Sequence, residues 1–302
     1  ADRAAEQKRY EIAVEAWKKS VEEAKATNKP VPKAPIPPAA PGEVYGAMVG
    51  DHYEIYVRPL IPYGFRGVLW DQGENNTRLT GLNDQSLVMN ALIRGWRRDW
   101  VQGPFPFIYV QKPSGYGCAW DYTNPVTRCA EPFVPLPDRS SPDLQPAELG
   151  VYLRIMTCPN TAMVISSDLG SGQHPVNKSG YARRAVDVAL GMVYGRDVEY
   201  YGPMYDSCIV EGEKVRVRFK HVGPGLAFRH ADKLQGFALA GADKRFHWAD
   251  AAIDGETVVV SCPKVDKPVA ISYAWSLKRA WANLLSRNGL PAVPFRADLP
   301  SK

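Results

Sequence analysis

A cluster of polar side chains surrounds one glycine directly after a short apolar segment. The cluster is Trp70-Asp71-Gln72-Gly73-Glu74-Asn75-Asn76, and the apolar segment before it, Phe65 to Leu69, is typical of a buried strand. An amide donor and a carboxylate at the end of a strand can be placed close to a substrate oxygen. The same residues also suit an ordinary turn in which Asn and Asp cap a helix.

A second candidate site contains a histidine in a glycine-rich loop. The residues Asp168-Leu169-Gly170-Ser171-Gly172-Gln173-His174-Pro175 follow another predicted strand, Ala162 to Ser167. A histidine at the carboxyl edge of a sheet is suited to general acid and base catalysis, and Asp168 is available to fix its tautomer. The alternative is a solvated loop histidine. The other histidines fall outside the predicted strand ends and are expected to be structural: His52, His221, His230 and His247.

The elements that must position these two loops alternate between strands and helices. Apolar segments predict strands at Phe65–Trp70, Phe105–Gln111 and Ala162–Ser167, with helices at Asn83–Trp100, Ala147–Thr157 and Asn177–Val193. On the first of these helices Leu87, Ala91 and Ile93 are expected to face the core. The alternation predicts an α/β domain in which a parallel sheet is covered by helices.

The two ends of the chain have a different character. Residues 1–41 combine an amphipathic helical pattern with a proline-rich connector. After Gly202-Pro203, β-branched residues recur with strand periodicity, at Val215–Phe219, Thr257–Val260 and Val269–Tyr273. The predicted organisation is therefore an N-terminal helix with its connector (1–41), an α/β domain (42–202), and a smaller all-β domain with an extended tail (203–302).

Charge and hydropathy exclude several classes of function. The net charge is +5, from 37 Lys and Arg against 32 Asp and Glu, and the basic residues are scattered. Such a weak excess does not indicate a nucleic-acid-binding surface. The sequence has no apolar run long enough to cross a bilayer, so no membrane span is expected.

Five cysteines bear on metal binding and on redox compartment. None forms a Cys-x-x-Cys pair or a Cys/His spacing suited to zinc, so no metal site is expected. Cys118 and Cys129 share one long loop. They are either a short-range disulfide, which would require an oxidising compartment, or two unrelated thiols.

Stretches spread over most of the chain resemble the sialate O-acetylesterases, a carbohydrate-esterase branch of the SGNH hydrolases. The similar stretches, in the order of the family, are Tyr45-Gly46-Ala47-Met48 with Arg58-Pro59-Leu60, Phe65 to Trp70 with Gln72-Gly73-Glu74, Trp96-Arg97 with Phe105-Pro106-Phe107 and Val110-Gln111, Asp168-Leu169-Gly170 with His174-Pro175 and Asn177-Lys178, and Tyr273-Ala274-Trp275 with Gly289-Leu290-Pro291 and Pro294-Phe295-Arg296.

The resemblance implies a secreted or periplasmic enzyme that removes acetyl groups from sugars without a metal or organic cofactor. It implies a three-layer α/β domain with a parallel sheet, incomplete in this chain, followed by the β-rich domain. His174 matches the catalytic histidine of the family. Gln72, with Gly73, Glu74 and Asn75 around it, matches a position suited to binding the oxyanion or the substrate.

The chain also departs from the family pattern near both sites. Asp71 stands where the family commonly has an aromatic residue, and Asn75 replaces a small residue; both changes affect the expected substrate pocket. Family members often carry an acidic residue two or three positions before the histidine, where this chain has Ser171 and Gly172. Asp168 is then the nearest carboxylate. It either orients His174 or leaves the site as a Ser-His dyad.

The nucleophilic serine that the resemblance implies is not found. The family carries it in a Gly-Gln-Ser-Asn-like segment upstream of every matched stretch, and no such segment occurs in this sequence. Ser86, Ser114, Ser166 and Ser167 lack the expected turn. The first residues, Ala1-Asp2-Arg3, suggest a processed start, so an associated N-terminal fragment of the same precursor is expected to supply the serine. The alternative is an inactive carbohydrate-binding or scaffold protein that retains the esterase fold.

Overall fold

The computed structural model describes residues 3–27, 29–38, 43–44, 47–48, 50–72, 85–112, 114–140, 149–170, 172 and 174–299. It divides into two compact units, residues 1–63 with 79–83 and residues 64–78 with 84–302. No helix in these ranges is both long enough and apolar enough to cross a membrane.

The first unit contains one long helix and short pieces of other structure. Helix α1 spans Arg3–Ala26, and Trp17 donates its indole N–H to the carbonyl of Pro32 over 2.8 Å. That bond ties the helix to the proline-rich connector that follows it. Strands β1 (Glu43–Val44) and β2 (Ala47–Met48) pair antiparallel, and a π-helix (Tyr53–Val57) continues into a 3-10 helix (Arg58–Leu60).

The second unit begins with a parallel sheet of three strands in the order β3-β4-β5. The elements are β3 (Val68–Trp70), α2 (Gln85–Trp100), β4 (Phe107–Val110), α3 (Leu149–Ile155), β5 (Thr161–Val164) and α4 (Lys178–Met192). All four residues of β4 are buried, as expected for the central strand of a parallel sheet covered by helices. The α/β prediction is therefore confirmed.

Helix α2 differs from its prediction in the face that it buries. Ile93 is fully buried, but Leu87 is 60% exposed and Ala91 is also exposed, so the prediction for these two residues was wrong. Leu69 on the neighbouring strand β3 is 56% exposed. Leu69 and Leu87 are thus exposed to solvent, although a parallel sheet is normally covered by helices on both faces.

The remaining strands form antiparallel sheets. They are β6 (Met204–Glu211), β7 (Lys214–Lys220), β8 (Leu226–Phe228), β9 (Phe237–Ala240), β10 (Phe246–Trp248), β11 (Asp250–Asp254), β12 (Thr257–Ser261), β13 (Ala270–Tyr273), β14 (Leu284–Ser286) and β15 (Phe295–Asp298). Two sheets have four strands each, in the orders β10-β9-β13-β15 and β11-β12-β7-β6, and β14 pairs with β8. Alternate residues of the two larger sheets share one core, which includes Val215, Val217, Val258, Val260, Leu239, Ile271 and Phe295. The predicted β-rich region is confirmed, and part of its tail is a strand of this structure.

Candidate functional site

The carboxyl ends of the three parallel strands lie at one edge of the sheet and carry both candidate loops. Asp71 and Gln72 follow β3, Gln111 and Lys112 follow β4, and the loop that contains His174 follows β5. This edge is where open α/β sheets bind their ligands. Of the predicted polar cluster, Asp71 and Gln72 are exposed, whereas Gly73, Glu74 and Asn75 lie outside the described residues.

A buried lysine joins two of these strand ends. The Lys112 side chain is only 1% exposed, and its Nζ atom lies 2.6 Å from Oδ1 of Asp71. Lys178, the first residue of α4, places its Nζ atom 4.0 Å from Oδ2 of the same carboxylate. The ring of Tyr181 faces both ammonium groups, at 5.7 Å and 5.5 Å from its centroid. The Gln72 loop and the start of α4 are therefore held at the same edge.

The start of the histidine loop is fixed by the segment that follows β4. Ser166 donates its hydroxyl to the carbonyl of Gln111 over 2.7 Å, and Gly117 donates its backbone N–H to the carbonyl of Ser167 over 2.8 Å. A Cβ atom on Gly117 would lie 2.9 Å from that carbonyl oxygen, so only glycine permits the close approach. β5 consequently ends at Val164, three residues before the predicted end of the strand.

The end of the same loop is fixed by the cap of α4. Asn177 accepts a hydrogen bond from the backbone N–H of Gly180 over 3.0 Å, and its amide donates to the carbonyl of Val126 over 2.6 Å. An N-cap of this kind satisfies an otherwise unpaired helix donor. His174 lies between these two anchors and is exposed, and its ring forms no hydrogen bond to another described residue. The histidine is thus presented to solvent by a loop held at both ends.

Asp168 does not contact His174. Its side chain is fully buried, and Oδ2 accepts a hydrogen bond from Nη2 of Arg184 on α4 over 2.8 Å. Arg184 also donates from Nη1 to the carbonyl of Ile165 over 3.3 Å. The hydrogen bond from His174 to Asp168 that a triad would need is absent from this structure. The geometry instead gives Asp168 the role of joining the histidine loop to α4.

We expect Asp168→Asn to lower the free energy of unfolding by about 3 kcal/mol, because it leaves the Arg184 guanidinium buried without a carboxylate. Asp187→Asn is the matched control, since Asp187 lies on α4, as Arg184 does, and pairs with the exposed Arg183 at 3.6 Å. This control is expected to cost less than about 0.5 kcal/mol. Urea unfolding of both variants measures the difference. Equal stability of the two variants, with activity lost only in Asp168→Asn, would restore Asp168 to a catalytic role.

The predicted disulfide between Cys118 and Cys129 is not formed. All five cysteines are free thiols. Cys118 directs its Sγ atom to the carbonyl of Ala282, 3.3 Å away, and Cys129 packs against Gly170. Burial raises the pKa of the Cys118 thiol to about 12, and the negative charge of Asp168 adds to this effect. The loop is held by packing and backbone hydrogen bonds, so its cysteines give no indication of an oxidising compartment.

A buried arginine lies close enough to Asp168 to respond to its charge. Burial lowers the pKa of the Arg279 guanidinium to about 10, and the carboxylate of Asp168 partly offsets this shift. Arg279 donates from Nη1 to the carbonyl of Leu277 over 3.0 Å, and its backbone N–H bonds to the carbonyl of Tyr116. Asp168 is thus one carboxylate among buried cations, which is an environment suited to a structural ion pair.

The described part of the chain contains no cluster of side chains suited to bind a metal ion. No group of three or more His, Cys, Asp or Glu side chains there is arranged to hold a metal ion. What the edge does offer is an exposed imidazole, the exposed Gln72 side chain, and the Asp71–Lys112 pair beside them. The His174 imidazole can act as a base, and Gln72 can form hydrogen bonds. The Asp71–Lys112 ion pair joins the ends of β3 and β4.

Comparison with known proteins gave a match among solved structures. No protein-family model matches the chain, and no curated protein matches it. The chain is similar to a carbohydrate acetylesterase from Xanthomonas citri, with a TM-score of 0.65 and 31% sequence identity. The match covers 80% of this chain and 52% of the other, so the chain spans about half the length of that protein.

Proposed function

We propose that this chain is part of a carbohydrate O-acetylesterase and that His174 is its general base. The observation that carries the proposal is the exposed imidazole at the carboxyl edge of the parallel sheet, in a chain 31% identical to a carbohydrate acetylesterase. The expected substrate class is a sugar acetylated on oxygen. This class includes O-acetylated sialic acids and acetylated polysaccharides.

In the proposed reaction a serine hydroxyl attacks the acetyl carbonyl, and His174 removes the proton as the new C–O bond forms. The protonated imidazole then gives that proton to the departing sugar oxygen, and the C–O bond to the sugar breaks. Water, activated by the same imidazole, releases acetate and regenerates the serine. Gln72 is proposed to donate a hydrogen bond to the oxyanion or to the substrate, from a loop that the Asp71–Lys112 pair holds.

We further propose that the serine belongs to a segment of the same protein outside these 302 residues. Two observations support this proposal. The chain spans 52% of the similar acetylesterase. In addition, Leu69 on β3 and Leu87 on α2 are 56% and 60% exposed, and a further strand with its covering layer would bury apolar side chains of this kind. Export to the periplasm or the cell exterior is also proposed, and it rests on the resemblance alone because the predicted disulfide is absent.

Acetate release tests the proposed activity. We expect the natively purified protein to liberate acetate from O-acetylated sialic acid or acetylated xylan, measured with a coupled acetate assay. N-acetylglucosamine is the matched control, because its acetyl group is held by an amide, and no acetate should be released from it. Absence of release from every O-acetylated sugar and from 4-nitrophenyl acetate would contradict the proposal and favour the inactive carbohydrate-binding alternative.

A further inference from the structure

The two faces of the four-stranded sheet β10-β9-β13-β15 differ in the side chains that they carry. Its inner face contributes Leu239 and Ile271 to the apolar core. On the opposite face one row of register partners crosses the sheet, Trp248, Ala238, Ser272 and Arg296 in strand order. Because two small residues lie between two large ones, the row leaves a depression in the sheet surface.

Side chains from outside the sheet wall this depression. The resulting cavity has a volume of about 110 Å³ and is lined by Arg139, Trp248, Ser272, Trp275, Trp281 and Arg296, among others. The wall that carries Arg139 is attached to β10 by two hydrogen bonds. Trp248 donates its indole N–H to the carbonyl of Pro137 over 2.7 Å, and Arg139 donates from Nε to the carbonyl of Phe246 over 3.1 Å.

Aromatic rings hold the two guanidinium groups of the cavity. Cζ of Arg139 lies 4.5 Å from the ring centroid of Trp248, and Cζ of Arg296 lies 4.6 Å from that of Phe246. Within the described ranges no carboxylate lies within 4.0 Å of a nitrogen atom of either guanidinium. Stacking on a ring fixes the plane of a guanidinium without neutralising its positive charge. Two oriented positive charges beside the cavity therefore have no carboxylate partner among the described residues.

Two polar groups of the lining have no hydrogen-bond partner among the described residues. Ser272 is 6% exposed, and its hydroxyl forms no hydrogen bond with another described residue. Trp281 is 3% exposed, and its indole nitrogen donates to no other described residue. Polar groups that line a cavity without a described protein partner are available to hydrogen-bond a polar ligand.

We propose that this cavity binds a sugar unit that carries a carboxylate, such as a uronic or sialic acid residue. The guanidinium groups of Arg139 and Arg296 bind the carboxylate, for which their planar fork of donors is suited. Ser272 and Trp281 bind ring hydroxyls, and Trp275 supplies an apolar surface. The cavity is smaller than the roughly 150 Å³ that accommodates benzene in an apolar core, so it takes part of one unit and leaves the rest of a glycan outside. The site is separate from the proposed esterase chemistry and does not depend on it.

Calorimetric titration with methyl glucuronide and methyl glucoside tests the inference, because the two sugars differ only at the carboxylate. We expect the natively purified protein to bind the glucuronide at least about 10-fold more tightly. Arg296→Ala should weaken glucuronide binding by at least about 10-fold, while Arg245→Ala, an exposed arginine outside the cavity lining, should leave it unchanged. Ser272→Val, which fills the cavity without removing charge, should also weaken binding.

Equal binding of the two sugars, or glucuronide binding unaffected by Arg296→Ala, would overturn the inference. Competition by inorganic phosphate at the same concentration as the glucuronide would also overturn it, because the cavity would then recognise an anion rather than a sugar. Thermal unfolding of each variant identifies any loss of fold. Neither sugar carries an acetyl ester, so failure of this binding test leaves the acetylesterase proposal standing, and failure of the acetate assay leaves the binding inference standing.

Discussion

Replacing His174 with alanine is expected to lower kcat for acetate-ester hydrolysis at least about 1,000-fold without unfolding the protein. The imidazole is exposed and forms no hydrogen bond to another described residue, so its removal breaks no hydrogen bond with the described part of the fold. The anchors of its loop, Ser166 and Asn177, are unchanged in the variant. Initial rates with 4-nitrophenyl acetate, together with a thermal unfolding curve, measure both parts of this expectation.

His52→Ala is the matched control for this variant. His52 is also exposed, but it lies in the first compact unit, next to the ring of Tyr56 at 6.0 Å. Its replacement is expected to change the rate less than about twofold and the free energy of unfolding by no more than about 0.5 kcal/mol. A His174→Ala variant that retains the wild-type rate would remove this residue from the mechanism and leave the edge of the sheet without a base.

Periodicity predicted the parts of the fold that depend on local pattern. The strands around Val68, Ile108 and Met163 and the helices between them appear close to their expected positions. Each is a segment whose apolar spacing matches one regular structure and whose ends carry Gly, Pro, Asn or Asp. The first of these strands was predicted to be buried, but Leu69 on it is 56% exposed. The short strands β14 and β15 were not anticipated, because three or four residues carry too little pattern to be distinguished from an extended tail.

Contacts between distant segments were not predictable from the same patterns. Lys112 was missed as a residue of the site, although it follows a predicted strand at the same edge as Gln72. Its role depends on Asp71, forty-one positions earlier in the chain, being 2.6 Å from its ammonium group. In the sequence Asp71 belongs to the polar cluster and departs from the family pattern, and neither observation indicates a lysine partner. The pairing with Lys112 explains why an acidic residue stands at position 71, because a buried lysine requires a nearby negative charge.

The roles of Asp168 and of the two loop cysteines changed for a related reason. In the sequence, Asp168 is the nearest carboxylate to His174, but the fold turns it toward Arg184, sixteen residues later on α4. Likewise, Cys118 and Cys129 share one loop, yet Cys118 faces Ala282 from a distant part of the chain. Proximity in sequence indicates which groups can meet, whereas burial and packing decide which of them do.

Removal of the segment that carries the nucleophilic serine is also expected to have a large effect on the rate. Expressed alone, the 302-residue chain is expected to hydrolyse acetate esters about 10⁶-fold more slowly than the protein that also contains the serine segment, the loss associated with removing a nucleophilic serine. The described serines nearest the edge are unsuitable. Ser114 and Ser166 are buried and donate their hydroxyls to the carbonyl of Gln111, over 3.3 Å and 2.7 Å, and Ser167 is buried beside them. Equal rates for the two proteins would place the nucleophile within this chain.

Covalent labelling with a fluorophosphonate, which reacts with activated serines, would locate the nucleophile and show whether His174 activates it. The natively purified protein would be labelled, digested and mapped by mass spectrometry, with His174→Ala as the control for activation by the imidazole. We expect one labelled serine, in a peptide that is absent from these 302 residues, and loss of labelling in the variant. A labelled serine within the chain, or labelling that persists without His174, would overturn the proposed division of the catalytic residues.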